Sequence, residues 1–203
     1  MSEKPIIEQD RYFTFAAKDS TTCLVFYPGG LVQPLAYAPL MQKLADAGFT
    51  AYLLKVPMSL AVLDANAADA ILEDDSNRCR HYVISGHSLG GVMAARYVLH
   101  KPDYGLILLA AYPQASKSLA QHPAPVLSIT ASLDGLSTPE KVTARDYLLP
   151  GHARRLTIEG GNHAQFGWYG AQRGDNPAVL SRTEQQTIIL NAMLQFLRDF
   201  NGS

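Results

Sequence analysis

The sequence predicts an α/β fold, a mostly parallel sheet of about seven strands with helices on both faces. Three observations lead there. Short apolar runs alternate with stretches of helical spacing along the chain. Several runs are apolar at every position, as in strands buried on both faces. One of them, Tyr82-Val83-Ile84-Ser85, breaks into Gly86-His87-Ser88-Leu89-Gly90 and passes at once into a helical pattern over residues 92–100.

Taken in order, Arg11-Tyr12-Phe13-Thr14-Phe15 alternates and predicts a first strand at the sheet's edge. Cys23-Leu24-Val25-Phe26-Tyr27 is a continuous apolar strand stopped by Pro28-Gly29-Gly30. A helix follows around residues 37–47, with Leu40, Met41 and Leu44 on one side and Gly48 as its stop. Ala51-Tyr52-Leu53-Leu54 is the next strand, and Ala-rich helical spacing runs from about residue 60 to 72. Beyond the central strand and its helix come a strand at Leu106-Ile107-Leu108-Leu109 and a short helical piece at residues 116–121. Val126-Leu127-Ser128-Ile129-Thr130 is the next strand. Thr138 is placed to cap a helix whose first turn holds Pro139. Strand Arg155-Leu156-Thr157-Ile158, a loop over residues 159–181 and a final helix over residues 183–200 complete the chain. With no linker or internal repeat, residues 1–203 are expected to form one domain.

The central turn carries the sharpest chemical signal. Gly-x-Ser-x-Gly between a strand and a helix lifts a serine hydroxyl above the sheet edge and aims the first helical N–H groups at what it attacks. Gly86 and Gly90 are explained by sterics, since a Cβ at either place would collide with the neighbouring strand or helix. The competing explanation, a helix-capping serine in a Gly-rich turn, gives no reason for small residues on both sides.

Open α/β sheets gather their chemistry at the carboxyl ends of the strands. Ser88 follows the central strand; Asp134 follows the 126–130 strand in Ala131-Ser132-Leu133-Asp134-Gly135; His163 follows the 155–158 strand in Glu159-Gly160-Gly161-Asn162-His163. A serine hydroxyl needs a histidine to take its proton and return it to the leaving group, and a carboxylate to orient that histidine. His87, His81, His100, His122 and His152 are poorer bases by position, because they fall inside the elbow, before strands, at a helix end or ahead of the acid in the chain. Glu159, Asp146 and Asp175 are the rival acids, Glu159 being nearest to His163 in sequence. The plain explanation of Asp134-Gly135 as a turn gives no account of the Ser-Asp-His order. An oxyanion needs two donors, Leu89 after the nucleophile and one from the loop Pro28-Gly29-Gly30-Leu31, with Gly30 first choice and Leu31 second.

Composition narrows the remaining classes. A net charge of −1 without any run of Lys or Arg sets nucleic acid aside. The first ten residues lack the apolar stretch of a signal peptide, and no segment has the length to span a bilayer. Cys23 and Cys79 make no disulfide framework, and Cys23 reads as core, so a cytoplasmic protein with reduced thiols is expected.

With these residues in order, the chain resembles the α/β-hydrolase superfamily over nearly its whole length. More narrowly, it is similar to the small lid-less bacterial hydrolases of the carboxylesterase and dienelactone hydrolase-like group. The resemblance implies Ser88 as nucleophile, Asp134 as acid, His163 as base, and Gly30 with Leu89 as oxyanion donors. The serine speaks against the dienelactone hydrolases proper, which use cysteine, and the haloalkane dehalogenases, which use aspartate. Two departures stand out: the usual His-Gly of the oxyanion strand is Pro28-Gly29 here, and residues 110–125 are too few for the helical cap of many relatives. An open site follows, with Leu31, Leu136, Phe166 and Trp168 as its candidate wall. The expected activity is hydrolysis of small to medium carboxylic esters through an acyl-enzyme, without metal or organic cofactor. A thioesterase or amidase on the same triad, and a non-catalytic small-ligand-binding protein of the same fold, are the alternatives.

Overall fold

A computed structural model describes residues 6–74 and 78–201. Met1 to Pro5, part of the N-terminal stretch read for a targeting segment, lie outside the described residues. The strands are β1 (Ile7–Glu8), β2 (Tyr12–Phe15), β3 (Thr22–Tyr27), β4 (Thr50–Leu54), β5 (His81–His87), β6 (Gly105–Leu109), β7 (Val126–Ala131) and β8 (Arg154–Ile158). The helices are α1 (Ala38–Asp46), α2 (Asp69–Leu72), α3 (Leu89–Val98), α4 (Pro139–Thr143) and α5 (Arg182–Asn201). They build one eight-stranded sheet in the order β1-β2-β4-β3-β5-β6-β7-β8. The pairings from β4 through β8 are parallel, while β1 and β2 are antiparallel to their neighbours.

The expected seven strands are all present, and β1 is an eighth. It lies outside β2, which is therefore not the edge strand. Two exposed residues give β1 no apolar alternation to read.

Side-chain alternation divides the core between the two faces of the sheet. Leu24 and Phe26 of β3 pack with Leu40, Met41 and Leu44 of α1 and Met193, Phe196 and Leu197 of α5. Val25 and Tyr27 face the other way, toward Ala94, Tyr97 and Val98 of α3. Gly48 ends α1 with φ +101°, the left-handed turn expected of it. Thr138 caps α4, its hydroxyl accepting the Lys141 N–H at 3.4 Å.

Of two expected helices, that over residues 60–72 is interrupted and the short piece at residues 116–121 is absent. Over residues 60–72 the chain makes a 3₁₀ turn at Ala61–Leu63 and then only α2. The buried Tyr27 hydroxyl donates to the Ala65 carbonyl at 2.8 Å and accepts the Ala68 N–H at 3.2 Å, taking backbone groups a continuous helix would pair internally. Residues 110–125 hold no helix, and the Leu119 N–H is given to the Leu148 carbonyl at 2.8 Å. No cap covers the sheet there.

The expectation of reduced thiols is corrected: Cys23 and Cys79 are bonded, with their Cα atoms 5.7 Å apart. Residue 79 arrives beside β3 because it leads into β5, which pairs with β3 so that Cys23 lies opposite Tyr82. A spacing of 56 residues carries no hint of that neighbourhood. Disulfides persist in oxidising compartments, so the cysteines no longer speak for a cytoplasmic setting. Among the described residues no helix is long and apolar enough to cross a membrane.

Candidate active site

Ser88 sits between β5 and α3 with φ +52° and ψ −123°, a conformation that side-chain-bearing residues rarely adopt. Its neighbours enforce the turn. A Cβ on Gly90 would be driven into the carbonyl oxygens of Tyr27 and Pro28, and one on Gly86 would lie 2.6 Å from the Gly91 nitrogen. The Ser88 N–H donates to the Leu109 carbonyl at 2.9 Å, and its own carbonyl accepts from Val92 to start α3. The strain is therefore held by the ends of the two strands that flank β5, β3 and β6.

Asp134, at the tip of β7, is buried and almost fully satisfied. Its Oδ1 accepts the N–H groups of Leu136 at 2.8 Å and Ser137 at 2.7 Å, while Oδ2 lies 2.7 Å from His163 Nδ1. The structure thus brings the expected acid and base together. Of the rivals, Asp146 pairs with Arg155 at 2.6 Å, Glu159 is exposed, and Asp175 bonds the backbone N–H of His163 at 3.2 Å, not its ring. His163 Nε2 is buried and has no hydrogen-bond partner among the described residues. That is the free nitrogen a proton acceptor requires. The His163 ring is 4.5 Å, centroid to centroid, from the ring of His87, which directly precedes Ser88.

Two features of the Gly29-Gly30-Leu31 loop sort its N–H groups. The Leu31 N–H donates to the Ser59 carbonyl at 2.7 Å, and the Gly29 N–H to the Tyr37 hydroxyl at 3.1 Å. No hydrogen bond claims the N–H of Gly30 or Leu89 among the described residues. The two residues adjoin, since a Cβ on Gly30 would lie 3.2 Å from Leu89 Cδ2. Of the two loop donors weighed from the sequence, Gly30 is the one left available.

The candidate wall residues part company. Leu31 is 78% exposed, Trp168 43%, and Leu136 half-buried. Phe166 is fully buried and stacks on His87 with centroids 5.5 Å apart, bracing the base loop instead of facing solvent. Met58, which the sequence did not single out, is 79% exposed. Leu31, Met58 and Ser59 all have φ between +52° and +61°, so two strained segments meet at the Leu31–Ser59 hydrogen bond and display apolar side chains.

Several supporting residues escaped the sequence reading. The Tyr37 hydroxyl bonds His87 Nδ1 at 2.8 Å while accepting from Gly29, linking the elbow to the 29–31 loop. Burial first, and then the neighbouring His163, hold the His87 imidazole well below the ordinary histidine range, so it stays neutral. Burial likewise pushes the Tyr37 phenol well above its usual value. The Gln185 side chain, from α5, pairs with the backbone of Asn162, accepting its N–H at 3.0 Å and donating to its carbonyl at 2.8 Å. Arg182 donates to the carbonyls of Ala164 and Gly167.

Solved structures of similar fold are small hydrolases. The chain superposes on a monoacylglycerol lipase of Paleococcus ferrophilus with a TM-score of 0.70 and 16% identity, covering 95% of this chain and 100% of that one. Est1E of Butyrivibrio proteoclasticus gives 0.68 at 12% identity, with full coverage of both chains. MGS-MChE2, an alpha/beta hydrolase enzyme from a lagoon-sediment metagenome of Mar Chica, Morocco, gives 0.71 at 12% identity, covering 98% of this chain and 100% of that one. No curated protein matches the sequence. The profile of the alpha/beta hydrolase family matches residues 23–187. The match takes in the Ser88 elbow, Asp134 and His163, and the chain belongs to the alpha/beta hydrolase family.

Proposed function

We propose that this chain is a single-domain serine hydrolase that cleaves small to medium carboxylic esters through an acyl-enzyme. The observation that carries the reading is the buried 2.7 Å contact between His163 Nδ1 and Asp134, on a loop packed against the residue before a strained Ser88. Ser88 Oγ attacks the ester carbonyl carbon as its proton passes to His163 Nε2. Asp134 holds the imidazole with Nε2 unprotonated beforehand and stabilises the imidazolium afterwards. Charge gathers on the former carbonyl oxygen, which the N–H groups of Gly30 and Leu89 receive. Collapse of the tetrahedral species breaks the bond to the alcohol, which leaves with the proton from His163. Water then enters by the same steps in reverse roles and frees the acid. Each of these roles is assigned to a side chain or N–H of this chain.

The absence of helix over residues 110–125 supports a shallow acyl site bordered by Leu31, Leu136 and Trp168. A related structure, Est1E, is known with ferulic acid bound, a fold precedent for a small carboxylic acid as ligand. Burial contributes about 0.8 kcal/mol per methylene only while the chain remains inside the pocket. kcat/KM on p-nitrophenyl esters should therefore climb over the first few carbons and then level. Ser88→Ala should lower it by at least about 10³-fold and abolish labelling by a fluorophosphonate, with the fold intact. Activity of Ser88→Ala within about tenfold of wild type would remove Ser88 as the nucleophile, whereas a wild type that neither turns over ester nor takes the fluorophosphonate would be a ligand-binding protein.

A further inference from the structure

We infer that Asp175 is a positioning residue that holds the acid and base loops in register. The inference rests on the triad reading above. Asp175 lies in the 167–181 segment, far along the chain from Asp134, and its carboxylate is the junction of the two loops. Its Oδ1 accepts the N–H of Gly135 at 3.0 Å, of His163 at 3.2 Å and of Asn176 at 2.9 Å. Its Oδ2 accepts the N–H of Ala164 at 2.8 Å. One oxygen thus receives the backbone of the base itself and of the residue next to the acid.

The backbone around it is built for this approach. A Cβ on Gly135 would be driven into the Gly174 carbonyl and lie 2.9 Å from Asp175 Cα, so the acid loop meets residues 174–176 backbone to backbone. Asn162 Nδ2 donates to the Asn176 carbonyl at 2.7 Å, tying the same segment to the residue before the base. Gly135 is therefore required for contact, which a turn alone would not demand. Of the two residues that make the Asp134–His163 hydrogen bond, His163 has its own N–H held by Asp175 and Asp134 has that of its neighbour Gly135 held there. Asp175 touches neither imidazole nor substrate; it sets where the Asp134–His163 pair stands relative to Ser88.

The test compares Asp175→Ala and Asp175→Asn with wild type, counting active sites with a fluorophosphonate and following the low-field proton of the His163 Nδ1–H hydrogen bond by NMR. Asparagine keeps an oxygen for the three Oδ1 bonds and loses the Oδ2 acceptor; alanine loses all four. Asp175→Ala should lower kcat per titrated site by about 10²-fold with KM within about threefold, because a displacement on the ångström scale costs that much. Its low-field proton should broaden or vanish, and Asp175→Asn should restore both readouts in large part. A kcat within about threefold of wild type and an unchanged low-field proton in Asp175→Ala would overturn the inference, as would a loss matched by the unfolded fraction in both variants. If wild type cleaves no ester, the proposed function fails, and the proton resonance still decides the role of Asp175.

Discussion

Replacing Asp134 in two ways separates its part in chemistry from its part in holding a loop. Its Oδ1 accepts two backbone N–H groups, from Leu136 and Ser137, and its Oδ2 alone serves His163. Asparagine can keep an oxygen at Oδ1 and must then present an amide N–H to His163 Nδ1. That donor forces the imidazole proton onto Nε2, the atom that should receive the Ser88 proton, and a loss of about 10⁴ in kcat is expected. Alanine offers no such donor but likewise removes the carboxylate that orients the imidazole and stabilises its cation, and it also strands two loop donors. Hydrogen bonds to an ionised acceptor contribute about 1.5–3 kcal/mol each, roughly twice the neutral kind. The low end applies, because desolvating a buried carboxylate opposes the gain and water reaches a half-buried loop. Two bonds at about 1.5 kcal/mol give about 3 kcal/mol for Asp134→Ala and about half that for Asp134→Asn. The difference of about 1.5 kcal/mol between the variants corresponds to roughly 0.7 M in urea midpoint at a slope of about 2 kcal/mol/M. The assays are urea unfolding and kcat/KM on a short ester. Equal midpoints for the two variants would refute the loop clamp. An Asp134→Asn enzyme within about tenfold of wild type would refute the acid assignment.

Two further outcomes follow from the elbow and its lining. Gly90→Ala should destabilise by about 3 kcal/mol, because the new Cβ meets two backbone carbonyls that cannot swing away, whereas Gly151→Ala, with open space around it, should change the melting temperature little. Similar melting temperatures for the two variants would show that the elbow relaxes. The buried His87 has a lowered folded-state pKa, so its stabilising effect is complete above the unfolded value near 6.5 and is lost as pH falls below it. Wild type should therefore lose up to about 1.4 kcal/mol more stability per pH unit than His87→Gln on going from pH 6.5 to 5. Parallel stability curves for the two would mean that His87 titrates alike in both states.

What could be read in the sequence, and what could not, divides by the range of the forces involved. The Ser88 turn was legible because its constraint is local: strand, two glycines and helix lie within a dozen residues, and the same glycines meet backbone when the fold is seen. Asp134 and His163 were legible because strand tips line one edge of the sheet, so chain order alone brings them near each other. Tyr27 shows the opposite case. It reads as another apolar strand residue, yet its hydroxyl breaks the helix expected over residues 60–72 by bonding Ala65 and Ala68. The Cys23–Cys79 bond depends on the pairing of β3 with β5, which no local spacing encodes. Asp175 counts in the sequence only as one of three rival acids for the His163 ring, and it is the backbone N–H of His163 that it takes. A loop carboxylate that accepts four N–H groups resembles any other loop carboxylate until the loops are closed. The proposed reacting groups are thus announced by the local elbow pattern and by chain order along the strand tips, while the residues that hold them in place are defined only by contacts between distant segments.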